Sequence, residues 1–309
     1  MPYQKILLIF NPTANHGLAG RTDSGLRAAA RSAAGLVWVD TAYPGNAVEL
    51  ARRAAEDGYE LVIAVGGDGT VHEVVNGLMQ VPPGARPRLA VIPFGSGNDF
   101  SNAIGMDGRR PVRLESLLNG VTRRVDIGKL ILESGECQYW DNAIGIGFDT
   151  NVVIRSRRVP LVRGFLIYLL AVFQTMAFDY EAPRLRVRTD REAWEQELLM
   201  LVLCNGGREG GVFHIAPQAQ PFDGVLHYTG VRRLSRPMML RLLPEFMRGA
   251  HENRPQVISG QFSRLELASD RPLRIHTDGE ILAGPGSDLR SLTVEVLPQA
   301  LEVVTPAQD

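Results

Sequence analysis

Short apolar runs punctuate the first part of the chain: Ile6-Leu7-Leu8-Ile9-Phe10, Leu36 to Val39, Leu61-Val62-Ile63-Ala64-Val65 and Leu89-Ala90-Val91-Ile92-Pro93. Their length and continuity predict strands, in the manner of a sheet buried on both faces. Between them the period changes. Val71, Val74, Val75, Leu78 and Met79 recur at i, i+3, i+4, i+7 and i+8, which predicts an amphipathic helix with Asn76-Gly77 inside it. Further helices are expected around Asp23 to Ala34, from Asn46 as N-cap to Asp57 with Gly58 as stop, and near Val112 to Asn119 ahead of Gly120. Strand alternating with helix predicts a parallel sheet covered by helices.

From about Val125 the texture differs. Val125 to Leu132, Tyr139 to Ile146, Leu185 to Thr189, Leu198 to Cys204, Val225 to Gly230, Arg264 to Leu267, Leu273 to His276 and Ser291 to Val296 all read as strands. Only the regions near Arg157 to Phe178 and Arg236 to Gly249 read as helical. Strands following strands predict an antiparallel sandwich as a second domain.

The chemistry concentrates where strands end. Residues 66–72 read GGDGTVH, directly after one apolar run and directly before the amphipathic helix. Gly66, Gly67 and Gly69 are expected to take backbone angles that a side chain would forbid and to let main-chain N–H groups approach an anion, and a helix starting near Thr70 aims the positive end of its dipole at the same place. A second turn, Phe94-Gly95-Ser96-Gly97-Asn98-Asp99-Phe100, follows the next strand, and Asn11-Pro12-Thr13-Ala14-Asn15-His16-Gly17 leaves the first one. In an open parallel sheet such turns gather at one crevice, with Thr41 at the same edge. Ordinary capped turns would look similar. Neither a Walker A motif nor a GxGxxG fingerprint is present, so phosphates would be held by backbone N–H groups, hydroxyls and a metal.

Composition narrows the classes. A formal net charge of −1 argues against a general nucleic-acid binder, and 45% hydrophobic residues suit a globular protein with a substantial core. The positive charge is nearly all arginine, since Lys5 and Lys129 are the only lysines. Cys137 and Cys204 fit no metal spacing, which reads as reduced thiols in the cytoplasm, and Met1 to Lys5 lead into the first strand without a signal peptide. The uncharged stretch from Gly164 to Phe178 is shorter than the ~20 residues that span a bilayer. With Arg155, Arg157, Arg158 and Arg163 upstream, it reads either as a buried helix with a solvated basic start or as a surface for peripheral contact with anionic lipid.

Four blocks, Asn11-Pro-Thr, Gly66-Gly-Asp-Gly-Thr-Val-His-Glu-Val-Val-Asn-Gly77, Pro93-Phe-Gly-Ser-Gly-Asn-Asp-Phe100 and Thr277-Asp-Gly-Glu280, resemble the signature blocks of the diacylglycerol kinase catalytic-domain family, in that family's order. The family includes bacterial diacylglycerol and other lipid kinases, sphingosine kinases and ceramide kinases. The resemblance implies an α/β chain: a Rossmann-like nucleotide-binding domain over residues 1–127, to which 297–309 returns, and a β-sandwich lipid-substrate domain over 128–296, with the active site in the cleft between them. It also implies an ATP-dependent lipid kinase of lipid metabolism that uses Mg²⁺. Asn11, Pro12, Thr13, Ala14, Asn15, Thr41, Gly66, Gly67, Asp68, Gly69, Thr70, Val71, His72 and Ser96 would then hold ATP, and Asp278 or Glu280 would take the proton from a lipid hydroxyl.

Read alone, Asp278-Gly279-Glu280 is a hairpin turn. The resemblance further implies a structural Mg²⁺ at Asp223, with main-chain oxygens of Gln220 and Val225, although Phe222 stands where relatives often carry a second acidic residue. Ser96-Gly97 replaces a common threonine and keeps the hydroxyl, and His72 replaces a frequent asparagine. Two other readings stay open: phosphorylation of a soluble dinucleotide, because NAD kinases share a GGDGT loop, and a non-enzymatic lipid or nucleotide sensor. A homodimer is compatible with either enzyme reading.

Overall fold

The computed structural model describes residues 3–14, 24–106, 112–157 and 165–307. Contacts divide the chain into two units, Met1–Ile127 with Pro298–Asp309, and Gly128–Leu297.

The first unit is a parallel sheet with helices. Its elements are β1 (Ile6–Phe10), α1 (Ser24–Ser32), β2 (Leu36–Asp40), α2 (Asn46–Glu56), β3 (Leu61–Gly66), α3 (Asp68–Met79), β4 (Arg88–Pro93), α4 (Asp99–Ala103) and α5 (Leu114–Leu118); β5 (Val121–Leu132) then leads out of it. The order across the sheet is β2-β1-β3-β4, and the chain's last strand adds Val303 opposite Leu89 and Val304 opposite Ala90, again in parallel. β1 and β3 are buried along their whole length, which is why they read as unbroken apolar runs. Ile6, Leu8, Phe10, Leu61, Ile63 and Val65 share one core with Leu114, Leu117 and Val304.

The strand order reverses between β1 and β3, so their carboxyl ends form the switch point at which such sheets bind ligands. Helix α3 begins at Asp68, three residues before the apolar period starts, so Asp68, Gly69 and Thr70 belong to its first turn. Its other end depends on Gly77. A Cβ there would stand 2.3 Å from the Val48 carbonyl oxygen and 2.8 Å from the Ala51 Cβ, so a glycine facing the small residues of α2 sets how closely the two helices pack.

The second unit is built of antiparallel strands backed by helices. After β5 come β6 (Cys137–Trp140), β7 (Ala143–Gly147), α6 (Phe148–Ser156), α7 (Phe165–Phe178), β8 (Arg184–Thr189), β9 (Ala193–Cys204), β10 (Leu226–Arg232), α8 (Arg236–Arg248), β11 (Val257–Phe262), β12 (Arg264–Ser269), β13 (Ile275–Thr277), β14 (Glu280–Ala283) and β15 (Ser291–Thr305). The long strand β9 joins two layers: residues 193–197 pair with β8, while residues further on pair with β7 and β10. Alternation along it serves two cores. Leu201 and Leu203 enter the core between the layers, and Met200, Val202 and Cys204 pack with Phe148, Val172, Met239 and Phe246 of the helices.

Several elements differ from the expectation. The run Tyr139 to Ile146 is two strands, broken at Asp141 and Asn142 by an interaction with a distant carboxylate described below. Helix α6 over Phe148–Ser156 falls between the expected strand ending at Ile146 and the helical region expected from Arg157, and β11 and β14 are likewise absent from the expectation.

Gly77→Val is expected to lower stability by about 3 kcal/mol through overpacking against α2, with Gly77→Ala milder. Chemical denaturation of the two variants beside the native chain checks this.

Candidate functional site

Two constellations stand out, one in each unit. In the first, the backbones of the two glycine turns meet. A Cβ built on Gly95 would lie 2.5 Å from the Gly67 Cα, and one on Gly67 would lie 3.0 Å from the Gly95 Cα. A Cβ on Gly66 would run into the Thr70 side chain at 2.3 Å. None of Gly66, Gly67 and Gly69 has a positive φ, and Gly67 is extended at φ −92°. Gly66 and Gly67 are therefore required by close approach, and none of the three by its backbone angles, which corrects the expectation that they take angles a side chain would forbid.

Asp68 locks the two turns together. Its carboxylate accepts the Asn98 N–H at 2.8 Å and the Asp99 N–H at 2.6 Å. Asn98 adopts a left-handed φ of 53°, its Oδ1 accepts the Gly95 N–H at 2.8 Å, and its Nδ2 donates to the Gly95 carbonyl at 2.9 Å. Asn98 and the buried Asp99 thus serve the site although neither is among the residues expected to hold ATP. The available signal was the Asn-Asp pair itself, the residue types that tolerate left-handed backbone and cap helices.

The loop after β1 joins the same place. Asn11 donates its backbone N–H to the Val65 carbonyl at 2.9 Å and its Nδ2 to Thr70 Oγ1 at 2.9 Å, while its Oδ1 accepts the N–H and hydroxyl of Thr13. Ala14 closes the turn through its N–H to the Asn11 carbonyl at 3.2 Å, with Pro12 inside it. Thr41 follows β2 at the same edge of the sheet, with its N–H on the Phe10 carbonyl at 2.8 Å. Helix α3 has no side-chain cap, so its first-turn N–H groups are not closed off by a capping side chain.

The other assigned residues divide. Ser96 is exposed in the second turn. Val71 and His72 are buried on α3, and His72 contacts Asn76 at 3.3 Å. Asn15 lies outside the described residues.

In the second unit, Asp278 and Gly279 are the two central residues of the β13–β14 hairpin, with Thr277 opposite Glu280. Both have positive φ, 49° and 82°, the geometry of a primed two-residue turn. The hairpin reading of this block is thus realised, and the carboxylate does something more. Asp278 accepts the N–H groups of Asp141 at 3.0 Å, Asn142 at 2.9 Å and Ala143 at 2.9 Å. That cluster of donors is what breaks the β6–β7 run.

Glu280 is about half exposed and pairs with Arg157 at 2.8 Å; the same guanidinium donates to the Gly279 carbonyl at 2.7 Å. Close by in the same unit, the fully buried His276 faces Asp149 and Glu209. Burial, with the negative charges of Glu209 and Asp149, pushes the Cys204 thiol well up, so it stays protonated.

The assigned metal loop offers one carboxylate. Asp223 is exposed, its Oδ1 accepts the Val225 N–H at 3.2 Å, and the exposed Gln220 accepts the Phe222 N–H on its carbonyl at 2.8 Å. One carboxylate beside main-chain carbonyls suits a hard, water-rich cation held weakly.

Of the arginines read as a basic flank, Arg155 is paired with Asp179 at 2.8 Å and Arg157 with Glu280. Arg158 and Arg163 lie outside the described residues. On α7, Ala171, Val172, Thr175 and Met176 are buried while Leu170, Phe173 and Phe178 are exposed. Among the described residues no helix is long and apolar enough to cross a membrane.

Residues 5–130 match the family described as diacylglycerol kinase catalytic domain, and residues 142–305 match the YegS C-terminal NAD kinase beta sandwich-like domain. A probable lipid kinase YegS-like protein of Chromohalobacter salexigens is 34% identical over 239 residues, 76% of this chain and 74% of that one. A diacylglycerol kinase of Bacillus subtilis is 28% identical over 242 residues, 78% and 77% of the two chains. The crystal structure of a putative diacylglycerol kinase from Bacillus anthracis superposes with a TM-score of 0.76 over 99% of each chain at 23% identity, a likeness of fold.

Asp278→Ala removes one acceptor from three backbone donors and is expected to cost about 3 kcal/mol of stability. Asp278→Asn, which keeps an oxygen, should cost less. Thermal unfolding of both checks the ranking.

Proposed function

Because the chain belongs to the diacylglycerol kinase catalytic-domain family and is a lipid kinase by that membership, we propose that it transfers the γ-phosphoryl group of ATP to a hydroxyl of a lipid such as diacylglycerol. The observation that carries the nucleotide half is the contact of Gly67 with Gly95, tied by Asp68 at the carboxyl ends of adjacent parallel strands β3 and β4. Backbone packed that closely leaves N–H groups of the first turn of α3 within reach of phosphate oxygens, with the helix dipole of matching sign. The loop Asn11 to Asn15, Thr41, the residues of GGDGTVH and Ser96 are the proposed nucleotide-binding set.

Phosphoryl transfer asks mainly for alignment and charge neutralisation. In the proposed reaction Asp278 accepts the proton of the lipid hydroxyl, that oxygen bonds to the γ-phosphorus, and the bond to the β,γ-bridging oxygen breaks to release ADP. Three N–H donors and a left-handed backbone hold the Asp278 carboxylate in one place, which favours it over the half-exposed Glu280 as the base. Glu280 with Arg157 would flank the acceptor. Mg²⁺, held by Asp223 with main-chain oxygens of Gln220 and Val225, would supply local positive charge when bound.

The exposed Leu170, Phe173 and Phe178 on an otherwise uncharged helix support work at a membrane surface, by apolar contact more than by the ion-paired arginines.

Incubation of the pure chain with labelled ATP, vesicles of a lipid panel and, separately, NAD tests the reading. Label is expected in the lipid phase, and Asp278→Asn is expected to lower turnover by ~10²-fold or more while ATP still binds. Phosphorylation of NAD with no lipid labelled would overturn the assignment.

A further inference from the structure

His276 sits at zero exposure in β13, two residues before Asp278, and both of its ring nitrogens are engaged. The Gly279 N–H points to Nδ1 at 3.2 Å. Nε2 lies 2.8 Å from Asp149 Oδ2 and 3.3 Å from Glu209 Oε1. A backbone N–H can only donate, so Nδ1 presents its lone pair and the ring proton is on Nε2, where it faces two carboxylates.

Three acidic or imidazole groups this close also resemble a cation site. The Gly279 N–H argues against that. A metal on Nε2 of a neutral imidazole requires the proton on Nδ1, where it would meet the Gly279 N–H head on. The carboxylates instead hold the proton on Nε2 and so keep Nδ1 an acceptor.

Gly145, opposite His276 on β7, is cleared for this arrangement: a Cβ there would lie 2.0 Å from Asp149 Oδ2 and 2.1 Å from His276 Nε2. Asp149 is delivered by the first turn of α6, whose Thr150 hydroxyl donates to the Gly145 carbonyl at 2.8 Å.

We propose that His276 is a positioning residue: with its proton held on Nε2 by Asp149 and Glu209, it grips the Gly279 N–H and thereby fixes the turn that carries Asp278. The inference deepens the kinase reading, since its effect on turnover rests on Asp278 acting as base, while the grip itself does not. The Asp278 side chain and its N–H, which donates to the Ala143 carbonyl at 2.8 Å, hold one side of the turn, and Arg157 holds the Gly279 carbonyl, which leaves the Gly279 N–H to be held. His276 holds that N–H.

Two substitutions separate the halves of the imidazole. In His276→Asn the amide reaches the place of Nδ1 and can still accept the Gly279 N–H; in His276→Gln it reaches toward Asp149 and leaves that N–H without an acceptor. In the full chain, amide exchange at Gly279 is expected to quicken about tenfold or more in His276→Gln and to stay near native in His276→Asn. Turnover should fall by about 10²-fold in His276→Gln, with KM for ATP little changed, and recover largely in His276→Asn. Nitrogen-15 shifts of the native ring should report the Nε2–H tautomer.

Native-like Gly279 exchange in His276→Gln overturns the proposal. So does a stoichiometric divalent metal in the native chain, lost in both variants, which would make the cluster a metal centre. If Gly279 exchange responds as expected but Asp278→Asn retains full turnover, the grip stands and the base assignment falls.

Discussion

The backbones of Gly67 and Gly95 press together, leaving no room for a Cβ on Gly95 and a tight fit for one on Gly67, and the rest of the first unit's chemistry depends on that contact. Two adjacent parallel strands can bring their following turns this close only if both turns are bare backbone. Asp68 then converts proximity into a fixed arrangement by accepting the N–H groups of Asn98 and Asp99 from the neighbouring turn. Asn11 extends the same network to β1 through Thr70, so three loops that follow three strands form one hydrogen-bonded rim at the switch point of the sheet. Asp68 is a tie between loops before it is anything to a ligand.

The second unit uses the same physics with different parts. There the strained element is the Asp278-Gly279 turn, with positive φ at both residues, a conformation that costs about 1 kcal/mol for a residue other than glycine. Three backbone N–H groups on the Asp278 carboxylate and one accepting imidazole nitrogen at Gly279 offset the cost. A carboxylate held so firmly has one geometry to offer a substrate, which is the condition proton abstraction needs. In the proposed reaction, activity and rigidity at this turn have one origin.

Much of this was legible in the chain, for physical reasons that can be named. Strands buried on both faces, such as Ile6–Phe10 and Leu61–Gly66, carry their signal in every residue, and the amphipathic period of α3 is local. The parallel and antiparallel halves followed from the order of such signals. The first turn of α3 was not legible, because Gly69 and Thr70 are poor helix formers and the turn is closed by the Thr70 and Val71 N–H groups on the Gly67 carbonyl. The break between β6 and β7 was hidden too, since its cause, Asp278, lies 136 residues from Asn142. His276 was passed over as a strand residue, although a histidine two positions before a candidate base was itself a signal. Its partners Asp149 and Glu209 come from other elements, and no local pattern announces them.

The central claim is that the rim built on Gly67 and Gly95 receives the phosphates of ATP. Amide hydrogen exchange of the native chain with and without ATP tests it without any substitution. The account expects ATP to slow exchange in residues 66–71 and 95–99, because bound phosphates would cover and stiffen the two turns of the rim. Slowed exchange elsewhere, with those two segments unchanged at saturating ATP, would contradict it.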